Sequence, residues 1–303
     1  MPSESDTPSS RRAADYPRAV LDLFDAYVHG TIDRRGFLQQ CAIHVGGTAA
    51  ATAMLTTLSP DFARGQVIPP DDRRIAVSHI DIPSPRGNGT IRAYVARPVG
   101  RTDARLPVIL VAHENRGLNP HIEDVARRLA VDGFLAVAPD ALTTLGGYPG
   151  DEDKARTMFA TLDRGKIQED FIAAAAHAKG MAGGNGRVGA VGFCFGGGIA
   201  NLLAARIPDL LAAVPFYGSP PPIEEVPAIK AELLIHYGGN DARTNAAWPG
   251  YEEALKKAGI RYRAFIYDGA EHGFNNDTTP RFDKAAADLA WARTIALFRR
   301  TLG

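Results

Sequence analysis

From about Ile75 onward, the sequence alternates short apolar runs with amphipathic segments, and this alternation constrains the fold more than any other feature. The runs "PVILVAHE" and "FLAVAPDAL" are continuous enough to be strands buried on both faces, whereas "HIEDVARRLAVDG" has helical spacing and ends at Gly133. Strands that alternate with helices are joined by crossovers, which makes neighbouring strands parallel. The sequence therefore predicts an α/β fold with a mainly parallel central sheet and helices on both faces.

The same alternation continues to the C-terminus. Further strands are predicted at "IRAYVARP", "RVGAVGFC", "LAAVPFYG", "AELLIHYGG" and "YRAFIYDG". Helices are predicted at "KIQEDFIAAAAHAKGM", at "GGIANLLAARIP" and from about Phe282 to Leu302. The Pro-rich stretch 218–227 is predicted to be a loop between two strands.

Charge and cysteine content exclude several classes of protein. Among 303 residues, 34 Lys and Arg balance 34 Asp and Glu, which gives no sign of a nucleic-acid partner. The two cysteines, Cys41 and Cys194, lie in very different contexts and do not form a disulfide framework. No cofactor or metal is predicted, and the chain is expected to be a monomer or a small homo-oligomer.

The N-terminal region differs in composition from the rest of the chain. Residues 36–60 contain no Asp, Glu, Lys or Arg, and Arg34 and Arg35 stand just before this run in "DRRGFLQQ". The pattern resembles a bacterial twin-arginine export signal. We accordingly divide the chain into a leader at residues 1–66 and a domain at residues 67–303.

This resemblance implies the twin-arginine export machinery as a partner and a periplasmic or secreted protein, or a cytoplasmic one if the leader does not function. Stable membrane insertion is not expected, because the apolar run is rich in Ala, Gly and Thr. Cys41 precedes that run, so we expect it to be structural and not a lipid attachment point. An alternative is a helix that docks on another surface, since apolar residues upstream have helical spacing: Val20, Leu23, Phe24 and Tyr27.

A glycine-flanked cysteine stands at a predicted strand-to-helix junction. The stretch "VGFCFGG" places Cys194 between Gly192 and Gly196, in the pattern of glycine, any residue, nucleophile, any residue, glycine. Such a turn brings strand and helix so close that side chains at the flanking positions would collide, and glycine removes the collision. The turn presents its central side chain above the carboxyl ends of the strands, so we predict Cys194 to be a nucleophile.

After the cysteine, an acid and then a base follow at the ends of two later predicted strands, in the order that a nucleophile on such a strand-to-helix turn requires. Asp241 comes after the strand "AELLIHYGG", and His272 comes after the strand "YRAFIYDG". A thiol needs a base to ionise it, and an imidazole base needs a carboxylate to orient it. We therefore predict a catalytic triad of Cys194, Asp241 and His272.

At these motifs the chain resembles the dienelactone hydrolases, which are α/β-hydrolases with a cysteine nucleophile. The resemblance covers roughly residues 75–300 and depends on "VGFCFGG", "GGNDA", "GAEHGF" and "VAHENRGLN". It implies that Glu114 contacts the resting thiol and governs its ionisation. It also implies that the backbone N–H groups of Asn115 and Phe195 form the oxyanion hole.

The best-known members of that family hold a carboxylated lactone with two arginines. Here residues 275–277 are Asn, Asn and Asp at one of these positions, and Glu152 and Asp153 lie near the other. The resemblance therefore implies a broader ester or lactone substrate. Arginines that could substitute for the missing clamp are Arg156, Arg164 and Arg281, and side chains that could line an acyl pocket are Phe193, Phe195, Tyr148, Phe159 and Phe274.

The sequence thus predicts a hydrolase that cleaves carboxylic esters or lactones through a cysteine thioester. Two alternatives stay open at this stage. One is an exported ligand-binding protein of the same fold without turnover. The other is a metal enzyme, because His113 and Glu114 stand together near Glu123 and Asp124, although no spacing there matches a recognised zinc or calcium site.

Overall fold

Eight strands form one sheet in the computed structural model, which describes residues 12–100 and 105–303. They are β1 (Ile75–Ser84), β2 (Gly89–Pro98), β3 (Leu106–Ala112), β4 (Leu135–Pro139), β5 (Gly184–Phe193), β6 (Ala212–Phe216), β7 (Glu232–Gly238) and β8 (Tyr262–Tyr267). Their order in the sheet is β1-β2-β4-β3-β5-β6-β7-β8. β1 pairs with β2, and β2 with β4, in antiparallel fashion, and every pair from β4 to β8 is parallel. The predicted α/β fold with a mainly parallel sheet is confirmed.

The α-helices cover both faces of this sheet and also form a separate N-terminal group. They are α1 (Arg18–Val28), α2 (Arg34–Val45), α3 (Thr48–Leu58), α4 (Phe62–Gly65), α5 (Pro120–Val131), α6 (Glu152–Ala160), α7 (Arg164–Lys179), α8 (Phe195–Arg206), α9 (Ala242–Asn245), α10 (Trp248–Lys257) and α11 (Lys284–Leu302). Asn119, Asp163 and Asp283 begin α5, α7 and α11, since each side chain accepts a hydrogen bond from a backbone N–H of the first turn. Short 3₁₀ turns are also present, and one of them, Ile223–Ala228, lies inside the predicted Pro-rich loop.

The apolar core consists of two layers, one on each face of the sheet. Along β3, Val108 and Leu110 face the layer that contains α6, α7, α8 and α10. Ile109 and Val111 face the layer that contains α5 and α11. Burial of both faces explains why β3 is a continuous apolar run, as strands of parallel sheets generally are.

The N-terminal segment, which we define as residues 12–66, has an apolar cluster of its own. Phe24 and Tyr27 of α1 pack against Phe37 of α2, with ring centroids 5.6–6.2 Å apart. Cys41 is fully buried in this cluster, which accounts for it as a packing residue. The upstream helix that the apolar spacing predicts, as an alternative to an export signal, therefore corresponds to α1.

The N-terminal segment also contacts the α/β domain. Arg34, the first residue of the twin-arginine pair, begins α2 and lies 2.7 Å from the carboxylate of Asp153. Asp61 N–H donates to Thr278 O at 2.8 Å. The first eleven residues of the predicted leader lie outside the described residues, and export of the chain stays a prediction.

Within the described part of the chain, no single helix is long and apolar enough to span a membrane. A bent pair, Arg34–Val45 with Thr48–Gly65, reaches the length and composition of a span only when both halves are joined across a bend of 112°.

β5 and α8 approach each other closely at the turn that joins them. A Cβ atom on Gly192 would lie 1.9 Å from the carbonyl oxygen of Gly196. A Cβ atom on Gly196 would lie 2.1 Å from the carbonyl oxygen of Ala112 in β3. Both contacts are with backbone atoms, which cannot turn aside as a flexible side chain can. The sequence prediction that glycine is needed on both sides of Cys194 therefore has a steric basis in the structure.

We predict that Gly192→Ala lowers the free energy of unfolding by roughly 1–3 kcal/mol, because the added methyl group forces β5 and α8 apart. Urea unfolding followed by circular dichroism measures the change. Gly250→Ala is the matched control: Gly250 is exposed in α10, and a Cβ atom there meets nothing within 4 Å. The control should be neutral or stabilise the protein by up to about 1 kcal/mol. Equal stability of the two variants would contradict the steric argument.

Candidate active site

Cys194 lies on the turn between β5 and α8 in a strained backbone conformation. Its φ is 53° and its ψ is −112°, a backbone conformation that residues other than glycine rarely adopt. Its N–H donates to Phe216 O at 3.1 Å, which fixes the turn against β6. The side chain therefore projects at the carboxyl edge of the parallel strands, where open α/β sheets bind ligands.

The loops after β7 and β8 bring Asp241 and His272 together. Asp241 caps α9 by accepting a hydrogen bond from the N–H of Thr244 at 3.1 Å. Its other carboxylate oxygen lies 2.6 Å from His272 Nδ1. Both side chains are buried, so the carboxylate fixes the orientation of the imidazole and directs Nε2 away from it.

Cys194 lies beside this pair, and a third group joins it. The Sγ atom of Cys194, one ring nitrogen of His272 and one ring nitrogen of His29 all lie within 4.8 Å of one another. His29 Nε2 is 3.5 Å from Cys194 Sγ and 3.2 Å from His272 Nε2. The structure thus gathers the three predicted triad residues at one edge of the sheet and adds a histidine from the N-terminal segment.

The electrostatics of the group favour a charged thiolate. Burial alone would raise the pKa of the Cys194 thiol, but the imidazoles of His272 and His29 outweigh burial and lower that pKa. Burial alone would lower the pKa of His272, but the Cys194 sulfur and the Asp241 carboxylate outweigh it and raise that pKa. These opposite shifts favour an ion pair of thiolate and imidazolium over two neutral groups.

Glu114, which the family resemblance places against the resting thiol, has another partner in the structure. Its Oε2 accepts a hydrogen bond from Asn276 Nδ2 at 3.2 Å. The side chain that lies against Cys194 Sγ from the N-terminal segment is His29, whose Nε2 is 3.5 Å away. The neighbouring His113 is fully buried, and its Nε2 accepts from the N–H of Ala141 at 3.1 Å.

Two backbone N–H groups were predicted to form an oxyanion hole. Phe195 is the first residue of α8, so its N–H has no acceptor within the helix. Asn115 follows β3 at the same edge of the sheet, and its side-chain Nδ2 donates to Val28 O at 3.0 Å. The carbonyl of Val28, next to His29, therefore lies over the loop that carries the predicted second donor.

The side chains predicted to line an acyl pocket separate into the two core layers. Phe193 and Phe274 pack with Phe216 on one face of the sheet. Phe159 stacks edge-on against Phe195 on the other face, at 4.9 Å between ring centroids. Phe193 ends β5 and Phe195 begins α8, and the turn at Cys194 between them places their side chains on opposite faces of the sheet, so they do not share one wall. Tyr148 packs in the same layer as Phe159, and its hydroxyl donates a hydrogen bond to the Glu152 carboxylate at 2.9 Å.

The three arginines considered as a substitute clamp all lie over aromatic rings. Arg164 lies over Phe159 and Phe195, at 5.3 and 5.4 Å from the ring centroids. Arg156 lies 4.7 Å from the ring of Tyr27, and Arg281 lies 5.2 Å from the ring of Phe24. Two of the three therefore pack against the N-terminal segment.

Sequence reasoning missed the way in which α1 covers the site. Arg18 Nη1 lies 2.8 Å from the carboxylate of Glu271, the residue before His272. Arg243 Nε lies 3.4 Å from the carboxylate of Asp25, and Arg243 Nη2 lies 2.7 Å from His29 Nε2. A single histidine at the end of a helix has no spacing that marks it as an active-site group, so only the fold reveals His29.

Tyr217 was missed as well. It follows β6 with a φ of 39°, the second non-glycine residue with positive φ among the described residues. Its ring lies 4.9 Å from that of His272 and is fully buried. Positive φ is predicted from a sequence mainly at glycine, asparagine and aspartate, and not at tyrosine. No local signal therefore marks Tyr217.

The four acidic and imidazole groups of the metal alternative are not gathered into one cluster. Asp124 accepts hydrogen bonds from the N–H groups of Val67 and Ile68, and it pairs with Arg128. Among the described residues, the one cluster with three metal-ligating side chains is that of His29, Cys194 and His272.

Comparison with known proteins agrees with this geometry. A family model described as "Dienelactone hydrolase family" matches residues 91–302, which include most of β2, all of β3 to β8 and the three residues of the predicted triad. A second family model, described as "YqhI-like", matches residues 8–46, which include α1 and His29. The first model thus covers most of the sheet, and the second covers part of the N-terminal segment.

Individual proteins are similar to this chain in sequence and in structure. The "putative carboxymethylenebutenolidase" of Escherichia coli strain K12 is 32% identical over 268 residues, which are 82% of this chain and 97% of that protein. The "putative hydrolase fragment YghX" of the same strain is 43% identical over 113 residues, 37% of this chain and 96% of the fragment. The crystal structure of a "putative dienelactone hydrolase" from Klebsiella pneumoniae subsp. pneumoniae has a TM-score of 0.65 and 29% identity, and it covers 74% of this chain and 99% of that one. With a family model that spans most of its length and a relative of this identity and coverage, the chain belongs to the dienelactone hydrolase family.

Proposed function

We propose that this hydrolase cleaves carboxylic esters or lactones through a thioester intermediate on Cys194. The observation that carries the proposal is the 2.6 Å contact of Asp241 Oδ2 with His272 Nδ1, beside a cysteine on a strained strand-to-helix turn. This is the arrangement of nucleophile, base and orienting acid that acyl transfer requires. The name carboxymethylenebutenolidase, carried by relatives of this chain, describes a hydrolase of the same kind of bond.

Acylation begins from the ion pair. The Cys194 thiolate attacks the carbonyl carbon of the ester, a carbon–sulfur bond forms, and the carbonyl oxygen becomes an oxyanion. Collapse of this intermediate breaks the carbon–oxygen bond of the ester. His272, as imidazolium, gives its Nε2 proton to the leaving alkoxide, and Asp241 stabilises the imidazolium until that transfer.

Deacylation returns the enzyme to its starting state. Neutral His272 takes a proton from water while the oxygen attacks the thioester carbon. The second tetrahedral intermediate expels the Cys194 thiolate and releases the carboxylic acid. The thiolate and the imidazolium are then again side by side.

The N–H groups of Phe195 and Asn115 are proposed to hold the oxyanion. The N–H of Phe195 lies at the N-terminal end of α8, where the helix dipole favours negative charge. Loss of one such donor in related chemistry costs about 10²–10³ in kcat. Backbone donors cannot be removed by side-chain substitution, which suits an essential role.

Esters and lactones are favoured over amides because of the leaving group. In the tetrahedral intermediate a thiolate competes with the substrate's own leaving group for expulsion. An alkoxide with a proton donor at hand leaves readily, whereas an amine leaves poorly and the intermediate reverts. We therefore propose esters and lactones as substrates.

The first prediction concerns the nucleophile. Cys194→Ala should abolish turnover of a small activated ester such as p-nitrophenyl acetate, because no thioester can form. Cys41→Ala is the matched control, since Cys41 is the only other cysteine and is buried in the N-terminal segment; it should retain activity. A chain that only binds ligands would release no acid in either case, and undiminished turnover by the Cys194 variant would rule out the mechanism.

The second prediction concerns pH. Since its pKa is lowered, the Cys194 thiolate is already present at neutral pH, and its alkylation by iodoacetamide should slow only as the pH falls through that lowered pKa. Asp241→Asn removes the charge that raises the pKa of His272, so the imidazolium stabilises the thiolate less and the inflection of the alkylation rate should move to higher pH.

The measurement for the second prediction is the rate of Cys194 alkylation against pH in a Cys41→Ala background. The Asp241→Asn variant should also lose about 10³–10⁴-fold in kcat, the size of effect that an oriented histidine gives in related triads. An inflection near 8.5 in both proteins, the value of an ordinary thiol, would show that no ion pair forms.

A further inference from the structure

Three metal-ligating atoms converge where the N-terminal segment meets the active site. His29 Nε2 lies 3.2 Å from His272 Nε2 and 3.5 Å from Cys194 Sγ. The third edge of this triangle, between Cys194 and a ring nitrogen of His272, is at most 4.8 Å. The ligands come from three distant parts of the chain, and His29 and Cys194 are 165 positions apart, so no motif spacing reveals them.

We propose that His29, Cys194 and His272 form a binding site for zinc or a similar divalent cation, which silences the hydrolase while it is bound. Zinc with tetrahedral geometry at about 2.0–2.1 Å from nitrogen and about 2.3 Å from sulfur has edges of about 3.3 Å between nitrogens and about 3.5 Å between nitrogen and sulfur. The two edges that His29 makes, 3.2 and 3.5 Å, match these values. One thiolate and two imidazoles are ligands that zinc prefers.

The partners of the two histidines support the site independently. His272 Nδ1 lies 2.6 Å from Asp241 Oδ2, and His29 Nδ1 lies 2.8 Å from Asp25 O and 3.2 Å from Asp25 Oδ1. In zinc proteins a histidine ligand almost always donates its other ring N–H to a carboxylate or a backbone carbonyl. That hydrogen bond fixes the tautomer that leaves the Nε2 lone pair free. Both histidines here have such a partner on Nδ1, and both Nε2 atoms face each other.

The positive charge of Arg243 opposes a cation at this site. Arg243 Nη2 lies 2.7 Å from His29 Nε2 and 3.4 Å from His272 Nδ1. About half of the Arg243 side chain is exposed, so it can turn into solvent when a cation takes its place. The carboxylates of Asp25 and Asp241, together with the thiolate, bring three negative charges to the site. Removal of Arg243 should therefore strengthen cation binding.

Binding would block the chemistry at both of its reacting groups. A coordinated Cys194 sulfur is no longer a free nucleophile, and a coordinated His272 Nε2 can neither give nor take a proton. His29 directly follows α1 in the N-terminal segment. The site is therefore complete only while that segment is docked. The inhibitory effect rests on the proposed function, whereas the binding itself does not.

The test is a titration of the full chain with Co²⁺, which replaces zinc and reports its ligands by absorption. The wild type should bind one Co²⁺ per chain, with a thiolate-to-cobalt charge-transfer band and the strong visible bands of a tetrahedral ion. Zn²⁺ should displace it in competition. His29→Ala should weaken Zn²⁺ binding at least as much as loss of a hydrogen-bond partner of a metal-bound histidine, about 10–100-fold.

Three further variants make the result specific. His44→Ala removes an exposed histidine of the same segment and should leave the affinity unchanged. His29→Cys keeps a ligand at the position, so it should restore binding and strengthen the charge-transfer band; this variant also guards against misfolding of His29→Ala. Arg243→Gln should raise the affinity.

The outcomes separate the two proposals. No stoichiometric binding by the wild type, or affinity unchanged in His29→Ala, would overturn the site. Zn²⁺ should inhibit ester hydrolysis by the wild type and the inhibition should reverse with EDTA, with His29→Ala much less sensitive. Metal binding in a chain that hydrolyses no ester would refute the proposed function and leave the site standing, whereas hydrolysis without metal binding would refute only the site.

Discussion

The close approach of β5 and α8 is the constraint on which the site depends. Gly192 and Gly196 each face backbone atoms where a Cβ would sit, so neither position has room for a side chain. Cys194 stands midway between them, held at φ 53°. The strain of a residue in this conformation costs of order 1–3 kcal/mol and is supported by the pairing of β5 with its two parallel neighbours. The parallel sheet thus fixes the proposed nucleophile, and the loops after β7 and β8 bring Asp241 and His272 to it.

The N-terminal segment covers this site and adds a side chain to it. In a hydrolase of this fold the nucleophile faces open space, but here the ring of His29 lies 3.5 Å from Cys194 Sγ and the carbonyl of Val28 lies over Asn115. Charged contacts beside the site attach the segment, including that of Arg18 with Glu271, the residue before His272. It has its own apolar cluster and its own matching family model. A folded, docked segment that reaches Cys194 is a part of the candidate active site, and not simply a tether.

The sequence could predict the sheet, the elbow and the close grouping of Cys194, Asp241 and His272 because each has a local signal. Buried strands are continuous apolar runs, and Gly192 and Gly196 mark the close crossing of strand and helix. Asp241 and His272 stand directly after strands, and the carboxyl ends of parallel strands meet at one edge, so the spacing along the chain translates into proximity. The order of residues was sufficient for these features because the fold class itself determines where each loop lies.

The remaining features had no local signal because they depend on packing between distant segments. His29 reaches Cys194 across 165 residues, and nothing in "YVHGTI" distinguishes it from an ordinary surface histidine. The pair Arg34 and Arg35 resembled an export signal, yet Arg34 also begins a docked helix and pairs with Asp153. The sequence pattern predicts one pocket for the aromatic residues beside Cys194, but the turn from β5 into α8 places Phe193 and Phe195 on opposite faces of the sheet.

The central claim is that sulfur carries the acyl group, and the most direct measurement is mass spectrometry of the enzyme quenched with acid during turnover of p-nitrophenyl acetate. The account predicts an acetyl group on the peptide that contains Cys194, removable by hydroxylamine at neutral pH as a thioester is. Turnover with an acetyl group on another residue, or with none on Cys194 at any quench time, would contradict it.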